Sequence, residues 1–160
     1  MASPEKKASQ LPVLYRLFFL LIEPVLALVG AYYAHFRQED YLTLTHAESA
    51  TSPVPVGTSI VLSQLANLYF LFTLNEAIVL RSTGDLRVWR ALLFGLLVAD
   101  FGHLYSLRSL GPSIYWDVAR WNPIDWGNVP VVYVGASMRI AFLAGVGLGG
   151  RRAASLKKKQ

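Results

Sequence analysis

Four runs of mostly apolar residues divide this chain, and each is about as long as a bilayer's hydrocarbon core is thick. A helix rising 1.5 Å per residue needs about 20 residues to cross roughly 30 Å of hydrocarbon. The runs extend from about Leu11 to Phe36, Thr58 to Leu80, Val88 to Leu107 and Val129 to Leu148. Inside lipid the backbone has no water to bond with, so apolar runs of this length fold as helices. Composition agrees: 54% of the residues are apolar and only 16% are charged, with a mean hydropathy of +0.39. A soluble domain of 160 residues needs more polar cover than that. The expectation is an all-α integral membrane protein, a four-helix bundle running up-down-up-down. Residues 1–10 form a tail, 11–148 the membrane domain and 149–160 a basic tail.

The first run is not an ordinary cleaved signal peptide, because it is long and carries Arg16 and Glu23 within it. The absence of cysteine excludes disulfide scaffolds, thiolate metal sites and cysteine nucleophiles. A net charge of +5 would suit nucleic acid, but the basic residues flank apolar runs and crowd the last ten positions. That distribution suits topology and anionic headgroups, so the bilayer is the expected partner and nucleic acid is not. Ten Lys and Arg fall on the termini and the short 81–90 connection, against three (Arg37, Arg108 and Arg120) on the two longer loops. The positive-inside rule therefore puts both termini in the cytosol. The ending Lys157-Lys158-Lys159-Gln160 resembles a dilysine retrieval signal of the endoplasmic reticulum, although a basic stop-transfer flank has the same composition.

Each ionisable group near the centre of a span costs about 2.5–3.5 kcal/mol on insertion scales, so it needs a partner or a cavity. Glu23, Asp100 and Arg139 lie near the middle of the first, third and fourth runs. His103 is one turn from Asp100, a spacing that suits proton transfer between a carboxylate and an imidazole. Arg16 and Glu23 are seven apart and align on one face, which Ala27, Gly30 and Ala34 continue as a small-residue stripe. That stripe permits a homodimer. In the second run Gln64, Asn67, Leu71 and Asn75 share a face, while Glu76 shares another with Tyr69 and Thr73. A Glu23–Arg139 pair is equally compatible with structure and with chemistry. Glu76, near Arg81, reads more readily as a structural pair toward the cytosol.

The 115–128 loop carries three of the four tryptophans, Trp116, Trp121 and Trp126, interleaved with Asp117, Arg120, Asn122 and Asp125. It suits a lid over a cavity mouth as well as an interfacial anchor. No second histidine stands at ligand spacing within the spans, so no metal is expected. The glycines at 145–150 close a span rather than follow a strand, so neither a dinucleotide nor another cofactor is expected.

Glu23-Pro24, Asn75-Glu76-Ala77, Ala99-Asp100-Phe101-Gly102-His103-Leu104-Tyr105, Trp116-Asp117, Trp121-Asn122, Asp125-Trp126-Gly127-Asn128 and Arg139 together resemble a family of small fungal four-span membrane proteins. Its members look similar to the membrane-bound epoxide hydrolases of aurovertin- and citreoviridin-type polyketide pathways. The resemblance implies an enzyme of secondary metabolism that opens an epoxide in a hydrophobic small-molecule substrate, by hydrolysis or cyclisation. It implies Asp100, Glu23 and His103 as catalytic groups, with Arg139, Asn67, Tyr105, Glu76, Trp116 and Asp117 as substrate contacts. One carboxyl would protonate the ring oxygen and another would activate the nucleophile, in either assignment.

Competing readings are a sterol- or lipid-binding protein, or a sterol-isomerase-like module, and a non-catalytic structural subunit. The enzyme and the lipid binder require a cavity near Asp100. The structural subunit requires closed salt bridges.

Overall fold

In the computed structural model, which describes residues 11–148, every regular element is a helix. Three helices are long and apolar enough to cross a membrane: α1 (Val13–Phe36), α3 (Val56–Ser82) and α4 (Leu86–Leu110). Between the first two lies the shorter α2 (Gln38–His46), within the loop expected at 37–57. The last helical run, α5, covers residues 123–143 as Pro123–Trp126, Gly127–Val131 and Val132–Leu143. The tails and the terminal lysines lie outside the described residues.

α5 starts six residues before the expected 129 and stops five before 148, and local chemistry accounts for both ends. The Asn122 side chain caps the backbone N–H groups of Ile124 and Asp125, and Asp125 accepts from the Asn122 N–H in return. Pro123 then occupies the first helical position, where a missing N–H costs nothing. At the other end Gly145 and Gly147 adopt φ of 81° and 73°, in the left-handed region that suits glycine. α4 is capped by Asp85, whose carboxylate accepts from the Arg87 N–H at 2.8 Å. That bond and the Arg87 guanidinium hold the Asp85 carboxyl below its ordinary range.

Contacts between helices pair them antiparallel. Gln38 reaches Ser59, Thr73 donates to the Pro24 carbonyl at 3.2 Å, and Arg81 donates to the Leu20 carbonyl, so α1 and α3 run in opposite directions. The stripe on α1 is spent here. Ala31 and Ala34 are buried, and a Cβ on Gly30 would stand 3.3 Å from the Tyr69 ring. Small residues let the two backbones close in, and dispersion rather than burial from water holds them. The α4–α5 contacts are likewise antiparallel, through Asp100 with Arg139 and Trp89 with Phe142.

An aromatic core ties α1, α4 and α5 together, with Leu80 of α3 buried in the same cluster. Phe142 meets Tyr15 edge-on at 5.2 Å and stacks on Trp89 at 5.7 Å, while the Trp89 indole donates to the Thr83 carbonyl. The Tyr15 hydroxyl donates to the Val146 carbonyl at 3.0 Å. Most of the remaining large apolar side chains, including Leu14, Leu21, Val25, Ile60, Phe94 and Phe101, point outward as lipid-facing residues do.

Three π-turns, Phe18–Ile22, Asn75–Val79 and Gly127–Val131, interrupt the helices. Proline explains two of them. Pro24 and Pro130 lack the N–H that would close the ladder four residues back, and the helix widens around each gap. The carbonyl left open by Pro24 is that of Leu20, and Arg81 supplies its donor from α3.

Candidate functional site

Four helices meet at one guanidinium. Arg139 of α5 donates through Nη1 to Oδ2 of Asp100 on α4 at 2.7 Å. Its Nη2 donates to Oε1 of Glu76 on α3 at 3.3 Å and to Oε1 of Glu23 on α1. Beneath it the Phe19 ring, fully buried, lies 5.8 Å from the guanidinium carbon. A planar cation with two donor edges suits this geometry, and an ammonium would not reach three acceptors on three helices equally well.

The site is graded in burial. Arg139 and Glu76 keep 2% and 1% side-chain exposure, whereas Asp100 and Glu23 keep 13% and 18%. Oε2 of Glu23, Oε2 of Glu76 and Nε of Arg139 are buried without a hydrogen-bond partner. With all three carboxyls ionised the four groups sum to −2, so one guanidinium cannot neutralise the cluster. A cluster with surplus carboxyl groups is suited to holding and passing protons.

The π-turns decide which residues enter the site. Phe18–Ile22 lies between Arg16 and Glu23 and breaks the seven-residue alignment expected of them, so Glu23 faces inward and Arg16 outward. Glu76 sits inside the turn Asn75–Val79 and faces Arg139 rather than Arg81, which is occupied by the Leu20 carbonyl. The Gln64–Asn67–Leu71 face of α3 lies roughly opposite Glu76 on the helix and points outward.

His103 lies beside Asn128 of α5, with its Nε2 buried and unpartnered, and has no hydrogen bond to Asp100. The other expected substrate contacts stand apart from the cluster. Asn67 is exposed. Tyr105 is exposed and covered by the Arg108 guanidinium at 4.0 Å. Trp116 is exposed, and Asp117 pairs with Arg120 at 3.1 Å.

The tryptophan loop is fastened to the fold. The Trp121 indole donates to the Ile114 carbonyl at 2.8 Å, and the Tyr115 hydroxyl donates to the Leu104 carbonyl at 2.7 Å. Asn122 Nδ2 donates to the Leu44 carbonyl at 2.6 Å, which ties the loop to α2. Asn122 and Asp125, which the sequence presents among possible ligand groups, therefore act as a helix cap and a latch. No group of His, Asp and Glu among the described residues has metal-binding geometry. One cavity of about 640 Å³ lies where α1, α2 and α3 come together, and none of the four clustered residues lines it.

A family model described as a domain of unknown function, DUF7704, matches residues 8–149. The chain belongs to that family. The match contains Glu23, Glu76, Asp100 and Arg139, so the whole cluster lies within the family's domain. No curated protein and no solved structure matches the chain.

Proposed function

We propose that this protein is a membrane enzyme that opens an epoxide in a hydrophobic metabolite, using the carboxyl groups around Arg139 as acid and base. The observation that carries this reading is the convergence of three carboxyl groups on one guanidinium. A structural ion pair needs one carboxylate per guanidinium, and each further charge at mid-span adds about 2.5–3.5 kcal/mol. Closed bridges, and a described cavity that does not reach Asp100, also suit a structural subunit, but that role leaves two of the three carboxyls without a purpose. The likeness of the Glu23-Pro24, Asn75-Glu76 and Asp100-to-Tyr105 segments to membrane epoxide hydrolases supports the same reading.

In the proposed step the ring C–O bond breaks as water forms a new C–O bond. Asp100 donates its proton to the departing oxygen, and Glu23 takes a proton from the attacking water. These two carboxyls are the ones that keep partial exposure, while Glu76 and Arg139 position them. An internal hydroxyl of the substrate replaces water if the reaction is a cyclisation. In this reading His103, whose buried Nε2 has no hydrogen-bond partner, relays protons at the margin.

The proposed setting is a four-span, up-down-up-down bundle in the endoplasmic reticulum with both termini cytosolic. α5 serves as the fourth span, because its interior charge is neutralised inside the bundle.

The test is turnover of a panel of polyketide and terpenoid epoxides by microsomes carrying the wild type or Asp100→Asn at equal protein level. The reading expects diol or cyclised product from the wild type and a loss of at least about 100-fold in the variant. A wild type inactive across the panel, or full activity in Asp100→Asn, would reject it.

A further inference from the structure

A second polar site lies at the other end of α1, about 20 Å of helix beyond Glu23. There the end of α1 and the starts of α2 and α3 line the open cavity of about 640 Å³. Its lining carries both signs of charge, Arg37 against Glu39 and Asp40, with the Gln38 amide and the hydroxyls of Ser59 and Ser63 alongside. Gln38 Nε2 donates to the Ser59 carbonyl at 3.3 Å and to Ser63 Oγ at 3.4 Å, which locks α2 against α3. Ser52 donates to Oε1 of Glu39 at 2.9 Å and steadies that carboxylate. Arg37 and Asp40 pair at 2.6 Å, yet their side chains stay 56% and 44% exposed. An ion pair so open to solvent is easily exchanged for ligand contacts.

Depth and charge together name a ligand class. α1 is 24 residues long, enough to cross the hydrocarbon, so its end sits at headgroup level. Phe36 and Val56 are exposed beside the polar lining. An anion alone would meet two carboxylates against one guanidinium, and a cation alone would meet Arg37. A zwitterion with a phosphate and an ammonium satisfies both.

We propose that this cavity binds a phosphoethanolamine headgroup. Its phosphate accepts from the Arg37 fork and the serine hydroxyls, and its primary ammonium donates to Glu39 and Asp40. A trimethylammonium has no N–H to donate and is held by aromatic cages, whereas the only benzenoid ring in this lining is Phe36. The same chemistry exists in a membrane lipid and in soluble glycerophosphoethanolamine. The apolar side chains beside the cavity favour the lipid.

The experiment reconstitutes the full chain in nanodiscs of phosphatidylcholine containing a minor fraction of phosphatidylethanolamine and reads retained lipid by native mass spectrometry. Phosphatidylethanolamine is expected to be enriched about tenfold over its bilayer fraction, the worth of one hydrogen bond to a charged group. Arg37→Gln and Glu39→Gln are each expected to return retention toward the bilayer ratio at an unchanged melting temperature. Retention at the bilayer ratio in the wild type, or enrichment that survives both substitutions, overturns the proposal. Displacement of the lipid by millimolar soluble glycerophosphoethanolamine would overturn the membrane source. Arg37 and Glu39 lie outside the Arg139 cluster, so this result and the epoxide assay succeed or fail separately.

Discussion

Gly135 lies directly beneath the guanidinium of Arg139: a Cβ at Gly135 would stand 2.8 Å from Nη1 and 3.4 Å from Oε1 of Glu23. The guanidinium is one helical turn further along the same helix, and it can fold back over α5 only because that position has no side chain. Nη1 is the tip of a flexible side chain and would ordinarily move aside. Here it is held by Asp100, and Nη2 by Glu23 and Glu76, so a methyl group has to displace a bonded network.

Gly135→Ala is therefore expected to destabilise the protein by about 1–2 kcal/mol, because overpacking outweighs the gain in helix propensity. Gly95→Ala is the control. A Cβ there meets nothing within 4 Å, so only the propensity gain of up to about 1 kcal/mol should appear. Unfolding in mixed detergent–SDS micelles reads both. Equal shifts in the two variants would mean that Gly135 does not support the guanidinium.

Removing the guanidinium should be far more costly than reshaping its seat. Arg139→Met leaves three buried or half-buried carboxyls without a counter-charge, and a loss of about 3–5 kcal/mol is expected. Arg139→Lys keeps the charge but loses the two-edged fork, so an intermediate loss is expected. Adding Glu76→Gln to Arg139→Met should recover part of the stability by removing one stranded carboxylate. The same SDS titration decides: if Arg139→Met unfolds with the wild type, the cluster does not hold the four helices together.

Arg81 and Pro24 form a compensating pair across α1 and α3. Pro24 offers no N–H to the Leu20 carbonyl, and Arg81 donates instead. Arg81 is exposed, so Arg81→Met alone should cost about 1 kcal/mol, less than the roughly 1.5–3 kcal/mol of a well-buried charged hydrogen bond. In a Pro24→Ala background, where residue 24 regains its N–H, the same substitution should cost measurably less. A double-mutant cycle with no coupling would show that the carbonyl finds its donor elsewhere.

Much of this architecture is legible along the chain. Apolar runs of span length mark the long helices, because lipid forces the backbone to satisfy itself within each segment. Glu23, Asp100 and Arg139 stand out for the same reason, since a charge at that depth demands company, whereas Glu76 reads as a pair for Arg81 toward the cytosol. Their grouping is less legible. Periodicity aligns Glu23 with Arg16, and that alignment fails because the π-turn Phe18–Ile22 rotates the helix between them. Glu76 does share a face with Tyr69 and Thr73, and only its partner differs from the expected Arg81. Pro24 and Pro130 were visible signals of two of the π-turns. Asn75–Val79 contains no proline and offered none.

What the sequence by itself determined is the helical class, the long apolar spans and the identity of the charged residues that need partners. These follow from local hydropathy and from the cost of charge in lipid, which act residue by residue. Only the tertiary structure decided that one arginine serves three carboxyls, that the small stripe on α1 is spent on α3, and that Asn122 and Asp125 cap a helix. Such pairings depend on which faces meet after the helices pack, and a turn widened by one residue is enough to change the face.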